Sequence, residues 1–276
     1  LSDSASLAER YTAFCETHPL RQVSSDGHCW AYREGKRTEG EVLLLLPGAL
    51  GRPETSFEYI AALETEWRIL APGYPATIGT MTGLANGIAA LLNACGITRA
   101  HVVGGSFGGL VAQVLLDRFP ERVERLVLSD TSPPVPARVV RMRASAALIH
   151  WLPELIVRDT IEYGVERYVG ELPAEGRRFW QEHFREMLTQ LTRTEIENRA
   201  RAWAEFDTLR GKVVPGSEVL LLSTASDRAV SPKRFQHLFP EAVVHVVDSP
   251  LGHAASVGDA QAYITPIQRF LKEGKC

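Results

Sequence analysis

Residues 101–116, His-Val-Val-Gly-Gly-Ser-Phe-Gly-Gly-Leu-Val-Ala-Gln-Val-Leu-Leu, constrain what this chain can fold into more than any other stretch. An apolar run reaches Gly104 and Gly105, a helical pattern starts after Gly108 and Gly109, and Ser106 stands between them. The order is strand, very tight turn, helix. A side chain at such an apex is forced into strained backbone geometry and points away from the sheet. Glycine two before and two after the serine has a steric reason, since a Cβ at either place would collide with the neighbouring strand or the start of the helix. The first helical amides lie beside the hydroxyl, where they can hold an oxyanion. The same string would suit a glycine-rich turn with an incidental serine. Its place between a good strand and a good helix makes Ser106 a candidate nucleophile.

The flanking chain supplies the scaffold such an elbow needs. A short amphipathic helix over Ser6–Glu16 precedes two strands, Leu20–Asp26 and His28–Arg33, joined at Asp26-Gly27, a hairpin signal. Val42–Leu46 is an apolar run without alternation, which suits a central strand covered on both faces. A helix over Ser56–Thr65, a strand over Trp67–Ala71, and a helix over Thr80–Cys95 with Gly96 as its cap lead to the elbow. Val123–Ser129 is a further strand, ending at Asp130. This alternation implies a mostly parallel sheet with helices on both faces, its active edge at the C-terminal ends of the strands. From Pro133 to about Asp207 the strands stop and four helical stretches follow: Ala137–Trp151, Leu155–Val169, Glu175–Thr189 and Arg193–Phe206. The expected division is a core of residues 1–132 and 208–276 with an inserted helical cap over 133–207. Trp151, Phe179, Trp180, Phe184, Met187, Leu188 and Trp203 give that cap apolar surface to turn inward. The sheet resumes at Glu218–Ser223. A short helix over Lys233–Phe239, a last strand over Ala242–Val247 and a terminal helix over Asp259–Leu271 complete the pattern.

Composition closes off other classes. A net charge of −3 gives no electrostatic reason to expect a nucleic acid or an anionic membrane as partner. The longest apolar run, Val42–Pro47, is far too short to span a bilayer, and Leu1–Arg10 does not read as a signal peptide. Cys15, Cys29, Cys95 and Cys276 are scattered without metal spacing. A reducing, cytoplasmic setting is expected, with a Cys15–Cys29 bridge as the open alternative and Cys95 buried in its helix. No metal or cofactor site is expected. The carboxylates and histidines lack ligand spacing, and no lysine follows the glycines as a phosphate loop requires.

A serine hydroxyl needs a base within hydrogen-bond reach, and the base needs a partner to fix its tautomer. Of the eight histidines, His253 lies in a short loop after the last strand, at the active edge. Asp227 follows the penultimate strand directly. Asp130 is the alternative acid, because it too ends a strand at that edge, whereas Asp248 reads as a turn residue. The loop after Val42–Leu46 should add a second oxyanion donor. Pro47 has no amide hydrogen and Gly48 lets the chain turn, so the pair expected is the amides of Ala49 and Phe107.

From about Trp30 to Leu271 the chain resembles the α/β-hydrolase superfamily, in the branch with a helical cap between the sixth and seventh strands. The marks are Gly104-Gly105-Ser106-Phe107-Gly108-Gly109 and the succession Ser106, Asp227, His253. Asp227-Arg228-Ala229-Val230-Ser231-Pro232 resembles the family's acid loop, Gly252-His253 its histidine loop, and Phe119-Pro120-Glu121-Arg122-Val123 is a familiar stretch. Two places depart from the family pattern: Pro47-Gly48 where histidine-glycine is common, and Pro72-Gly73-Tyr74-Pro75 where aspartate, arginine and glycine are common. A serine nucleophile disfavours epoxide and haloalkane hydrolysis and implies acyl transfer, so the expected protein is a carboxylesterase-like serine hydrolase acting on a small-molecule ester without cofactor. Carbon–carbon bond hydrolases of vinylogous diketones share this architecture and stand as the alternative. They need a cation in the pocket, for which Arg138, Arg141 and Arg143 at the start of the cap are candidates, although arginines there are more simply solvated. A non-catalytic binding protein of the same fold is the reading from a different class.

Overall fold

The computed structural model describes residues 5–209, 218–227 and 232–274. Its eight-stranded sheet starts from the N-terminal helix α1 (Leu7–Thr17), capped by Ser6 and Glu9, and the hairpin β1 (Arg21–Ser25) and β2 (His28–Glu34). Asp26 and Gly27 both take positive φ, +50° and +74°, which gives the turn the hand that antiparallel strands favour. β3 (Val42–Leu46), helix α2 (Phe57–Leu63), β4 (Arg68–Pro72), helix α3 (Met81–Ala94) and β5 (Ala100–Gly105) follow. Helix α4 (Phe107–Arg118) leads into β6 (Val123–Ser129). The cap comprises α5 (Val139–Trp151), α6 (Glu154–Val169), α7 (Ala174–Gln190) and α8 (Arg193–Phe206). β7 (Glu218–Thr224), β8 (Val243–Val247), the short α9 (Ala255–Gly258) and α10 (Ala260–Glu273) close the chain.

The strand order is β1-β2-β4-β3-β5-β6-β7-β8, antiparallel at the β1 end and parallel from β4 to β8. β3 shows how the apolar run builds this. Val42, Leu44 and Leu46 join the core on one face of the sheet, with Ile88, Leu91, Val111 and Leu115, and Leu43 and Leu45 join the core on the other, with Phe57, Ile60, Ile267 and Phe270. A strand covered on both sides has no polar face to alternate with. Each of these fully buried leucines stabilises the fold by roughly 1.5–3 kcal/mol through the apolar surface it removes from water.

The cap grips both cores. Ala202 and Phe206 of α8 are buried in the first, while Trp180, Phe184 and Met187 of α7 are buried in the second. Its entry and exit are pinned together at Asp207, which is fully buried and accepts from Arg138 (3.0 Å) and from the Val135 amide (3.3 Å). The inward-facing set expected of the cap needs correction at Trp151, which is 81% exposed on an α5 that buries none of its residues. The helix expected over Lys233–Phe239 is a single 3₁₀ turn, Pro232–Phe235, because so short a segment cannot meet the cost of an α-helical nucleus. Cys15, Cys29 and Cys95 are free thiols, so the Cys15–Cys29 bridge does not form, and Cys95 is half-buried against the core instead of enclosed by it.

Candidate active site

Ser106 has φ +50° and ψ −118°, a left-handed conformation enforced by its neighbours. Its amide donates to Ser129 O (2.8 Å), and its carbonyl accepts from the Thr131 hydroxyl (2.8 Å) and the Gly109 amide (3.1 Å). A Cβ on Gly104 would press on the backbone of Gly108, and one on Gly108 would press on the carbonyl oxygens of Leu46 and Pro47. The glycines therefore let β3, β5 and α4 approach closely enough to lift the serine clear of the sheet.

The base comes from the turn after β8. Nδ1 of His253 lies 2.7 Å from Asp227 Oδ2 and Nε2 lies 3.1 Å from Ser106 Oγ. With the Nδ1 proton donated to the carboxylate, Nε2 is left to accept from the Ser106 hydroxyl, which assigns the tautomer. Ser106, His253 and Asp227 form a Ser–His–Asp triad. Their two loops are joined by short polar side chains. The Thr224 hydroxyl donates to Gly252 O (3.2 Å) and accepts from the Asp227 amide (3.1 Å), while the Ser226 hydroxyl donates to Ser249 O (3.0 Å) and accepts from the Gly252 amide (3.1 Å). The acid loop beyond Asp227, residues 228–231, lies outside the described residues.

Burial works against a charged His253, but the hydrogen bond to Asp227 and the carboxyl charges of Asp130 and Asp227 outweigh it, so the ring titrates above its ordinary value. Asp130 lies close by, enclosed by protein, but Asp227 holds the hydrogen bond to the imidazole. The cap reaches this centre through Tyr168 of α6, whose ring packs edge-on against His253 with centroids 5.9 Å apart. Tyr59 of α2 donates to Ser256 O (2.8 Å) just beyond the histidine. Neither tyrosine carries a sequence signal, because their roles arise from contacts between distant segments.

Ala49 sits in the exposed turn after β3, and Phe107 is the first residue of α4, whose opening amides have no partner within the helix. β3 and β5 pair in parallel, with Leu46 opposite Gly104, so both amides emerge at the same edge of the sheet. The two departures from the family pattern meet here: the Tyr74 hydroxyl donates to Pro47 O (2.9 Å), and the Tyr74 amide donates to Gly51 O (3.0 Å). Tyr74 thus ties the loop after β4 to the loop carrying Ala49.

The three candidate arginines at the start of the cap follow the simpler, solvated or structurally paired reading. Arg138 is held by Asp207 and the Ser132 hydroxyl, and Arg141 and Arg143 are exposed. A different cap arginine is buried beside the loop after β3. Arg199 of α8 donates through Nη2 to Tyr74 O (2.9 Å), lies over the Tyr74 ring at 4.9 Å, and has no hydrogen-bond partner among the described residues for Nε or Nη1. Burial pulls its pKa down to about 10. Elsewhere His18 bonds Glu64 (2.7 Å), His101 is buried near the opposite end of β5, and His183 is enclosed by the rings of Tyr11 and Phe179. Among the described residues no helix is long and apolar enough to cross a membrane.

Comparison with known proteins agrees with this geometry. A poly(3-hydroxyalkanoate) depolymerase of Ectopseudomonas oleovorans is 32% identical over 98 residues, 33% of this chain and 35% of that protein. A 2-hydroxymuconate semialdehyde hydrolase of Pseudomonas putida is 28% identical over 192 residues, 66% of each chain. The matched stretches thus span about a third of the first relative's length and just under two thirds of the second's. A hydrolase from Pseudomonas aeruginosa PA01 shares the fold with a TM-score of 0.74 at 22% identity, over 92% of this chain and 98% of that one. The family described as the alpha/beta hydrolase fold matches residues 41–257, which span the elbow, the acid and the histidine. The chain belongs to the α/β-hydrolase family.

Proposed function

We propose that this protein is a serine hydrolase that cleaves a small or medium-sized carboxylic ester through an acyl-enzyme. The observation that carries the reading is the line from Asp227 through His253 to Ser106, with links of 2.7 and 3.1 Å. Ser106 Oγ attacks the ester carbonyl as its proton passes to Nε2 of His253, and Asp227 steadies the imidazolium. The amides of Ala49 and Phe107 take the oxyanion, where fixed donors act without reorganising. His253 then returns the proton to the departing alcohol. A water molecule deprotonated by the same nitrogen adds to the acyl-enzyme and releases the acid. Side chains and amides suffice for this sequence, with no metal or cofactor. Residues 133–207 act as a lid over a core of residues 1–132 and 208–276.

A second reading, carbon–carbon bond hydrolysis of an anionic vinylogous diketone, draws support from Arg199. A buried guanidinium with two nitrogens unpartnered among the described residues, beside the loop after β3, suits a carboxylate, and the name of the P. putida relative's substrate, 2-hydroxymuconate semialdehyde, is that of a carboxylate. Ester hydrolysis stands first because its leaving group is the easier one for these three residues.

Turnover profiling across p-nitrophenyl esters, lactones and vinylogous diketone acids, with Ser106→Ala as the blank, separates the two. Ester cleavage that vanishes in the blank, with the diketone acids inert, is the expected result. Preference for the diketone acids, lost on Arg199→Met, would install the second reading. Turnover unchanged in the blank would end both.

A further inference from the structure

The line Ser106–His253–Asp227 leaves one carboxyl at the site without a role. Asp130 directly follows β6, and its amide donates to Leu222 O (2.9 Å) on the neighbouring strand β7. It takes φ +45°, a region that only glycine, asparagine and aspartate visit with any ease. The residue is 3% exposed. Its Oδ2 accepts from the Ser129 hydroxyl at a long 3.3 Å, and among the described residues its Oδ1 has no hydrogen bond of good geometry, nor has the buried Tyr263 hydroxyl of α10 that acts on it. An Asp130 oxygen, an Asp227 oxygen and a ring nitrogen of His253 lie within 4.8 Å of one another. The remaining groups that sense its charge are the phenols of Tyr59 on α2 and Tyr168 on α6.

We propose that Asp130 is a second carboxyl serving His253, which supports the imidazolium beside Asp227 and takes over as orienting acid when Asp227 is lost. This rests on the serine hydrolase reading above. It makes Asp130 a positioning residue, acting on the substrate only through the histidine. A carboxyl enclosed away from water is costly to keep charged. Beside an imidazole that turns cationic in every catalytic cycle, it has a partner whenever the charge develops. Burial pushes the Asp130 carboxyl up to about 7, His253 and Tyr263 hold it back, and Asp227 adds to the rise. The Asp130 carboxyl and the His253 imidazole therefore titrate as a coupled pair, each shifting the other. His253 must be neutral to accept the serine proton, and the Asp130 charge helps keep it protonated. Removing that charge moves the acid limb of the rate profile to lower pH.

The test compares Asp130→Asn, Asp227→Ala and the double variant, reading p-nitrophenyl butyrate turnover against pH and the His253 titration by NMR. Asparagine keeps the shape of Asp130 and tolerates its φ. Asp130→Asn alone is expected to cost less than about tenfold and to lower the acid limb by about half a pH unit. Asp227→Ala is expected to lose about 10- to 100-fold, and the double variant about 10⁴-fold, the loss met when the orienting acid of a serine protease is neutralised. The full 10⁴-fold loss in Asp227→Ala with nothing added by Asp130→Asn would overturn the proposal, and so would an acid limb that does not move. If Asp227→Ala does not fold, the Asp130→Asn acid limb decides alone. If the wild-type protein cleaves no ester, the serine hydrolase reading is what fails. The His253 titration still decides the role of Asp130, which requires a lower His253 pKa in Asp130→Asn and is refuted by an unchanged one.

Discussion

Gly108 has no room for a side chain: a Cβ there would lie against the carbonyl oxygens of Leu46 and Pro47, both backbone atoms. Gly105, three positions earlier, has its nearest neighbours 3.8 Å from such a Cβ. Gly108→Ala is therefore expected to destabilise the fold by about 1–3 kcal/mol and to displace the loop carrying Ala49, so turnover falls further than stability does. Gly105→Ala should be nearly neutral. Chemical denaturation and ester turnover of the two variants check this, and equal effects would show that the close approach of α4 to β3 does not shape the site. The residues legible in the sequence were those whose types are dictated by local geometry or bond-making: the glycines around Ser106, the serine itself, and a histidine and an aspartate on loops at one sheet edge. Asp130 was legible as a rival to Asp227, and the structure resolves their positions, with Asp227 on Nδ1 at 2.7 Å and an Asp130 oxygen within 4.8 Å of both. Tyr168, Tyr59, Tyr74 and Arg199 were not legible. Each matters through a partner far away along the chain, and an isolated tyrosine or arginine on a helix or loop looks the same whether it faces solvent or the site.

Among the elements, the contact of α7 with α1 joins the cap to the N-terminal helix, and His183 lies within it. Its ring is 4.4 Å from that of Tyr11 and stacks on Phe179 at 5.3 Å. Burial, with Arg33 adding, pulls its pKa down from 6.5 to about 4. In the unfolded chain the imidazole takes a proton near its ordinary value, whereas the folded site resists until about pH 4. Its contribution is thus complete above pH 6.5 and drains away as the pH falls to about 4, up to about 3 kcal/mol in all. The melting temperature is expected to fall across that window, and His183→Phe to flatten the fall. An unchanged slope in His183→Phe would place the acid sensitivity elsewhere. The four cap helices were legible from periodicity, but their inward faces were not. Trp180 and Phe184 pack inward as their apolar character suggests, while Trp151 is exposed on α5. Apolar spacing shows that a helix has a face. It does not show which neighbour, if any, covers it.

For the whole molecule, the parallel sheet places the ends of β3, β5, β6, β7 and β8 along one rim, and every group assigned a chemical role stands there. The alternation of strands and helices made this architecture legible, since buried parallel strands read as unbroken apolar runs and their crossovers as helices. Strand order farther out follows from packing, whereas the succession expected here, the Asp130 strand beside the elbow strand and the Asp227 strand next beyond, is the observed β5-β6-β7, and it brings two carboxyls to one imidazole. The central claim is that this rim turns Ser106 into a nucleophile through His253. Mass spectrometry of the folded protein after exposure to a fluorophosphonate tests it most directly. A single adduct on Ser106, abolished in His253→Ala, is the result expected; no adduct on Ser106, or labelling undiminished in His253→Ala, would contradict it.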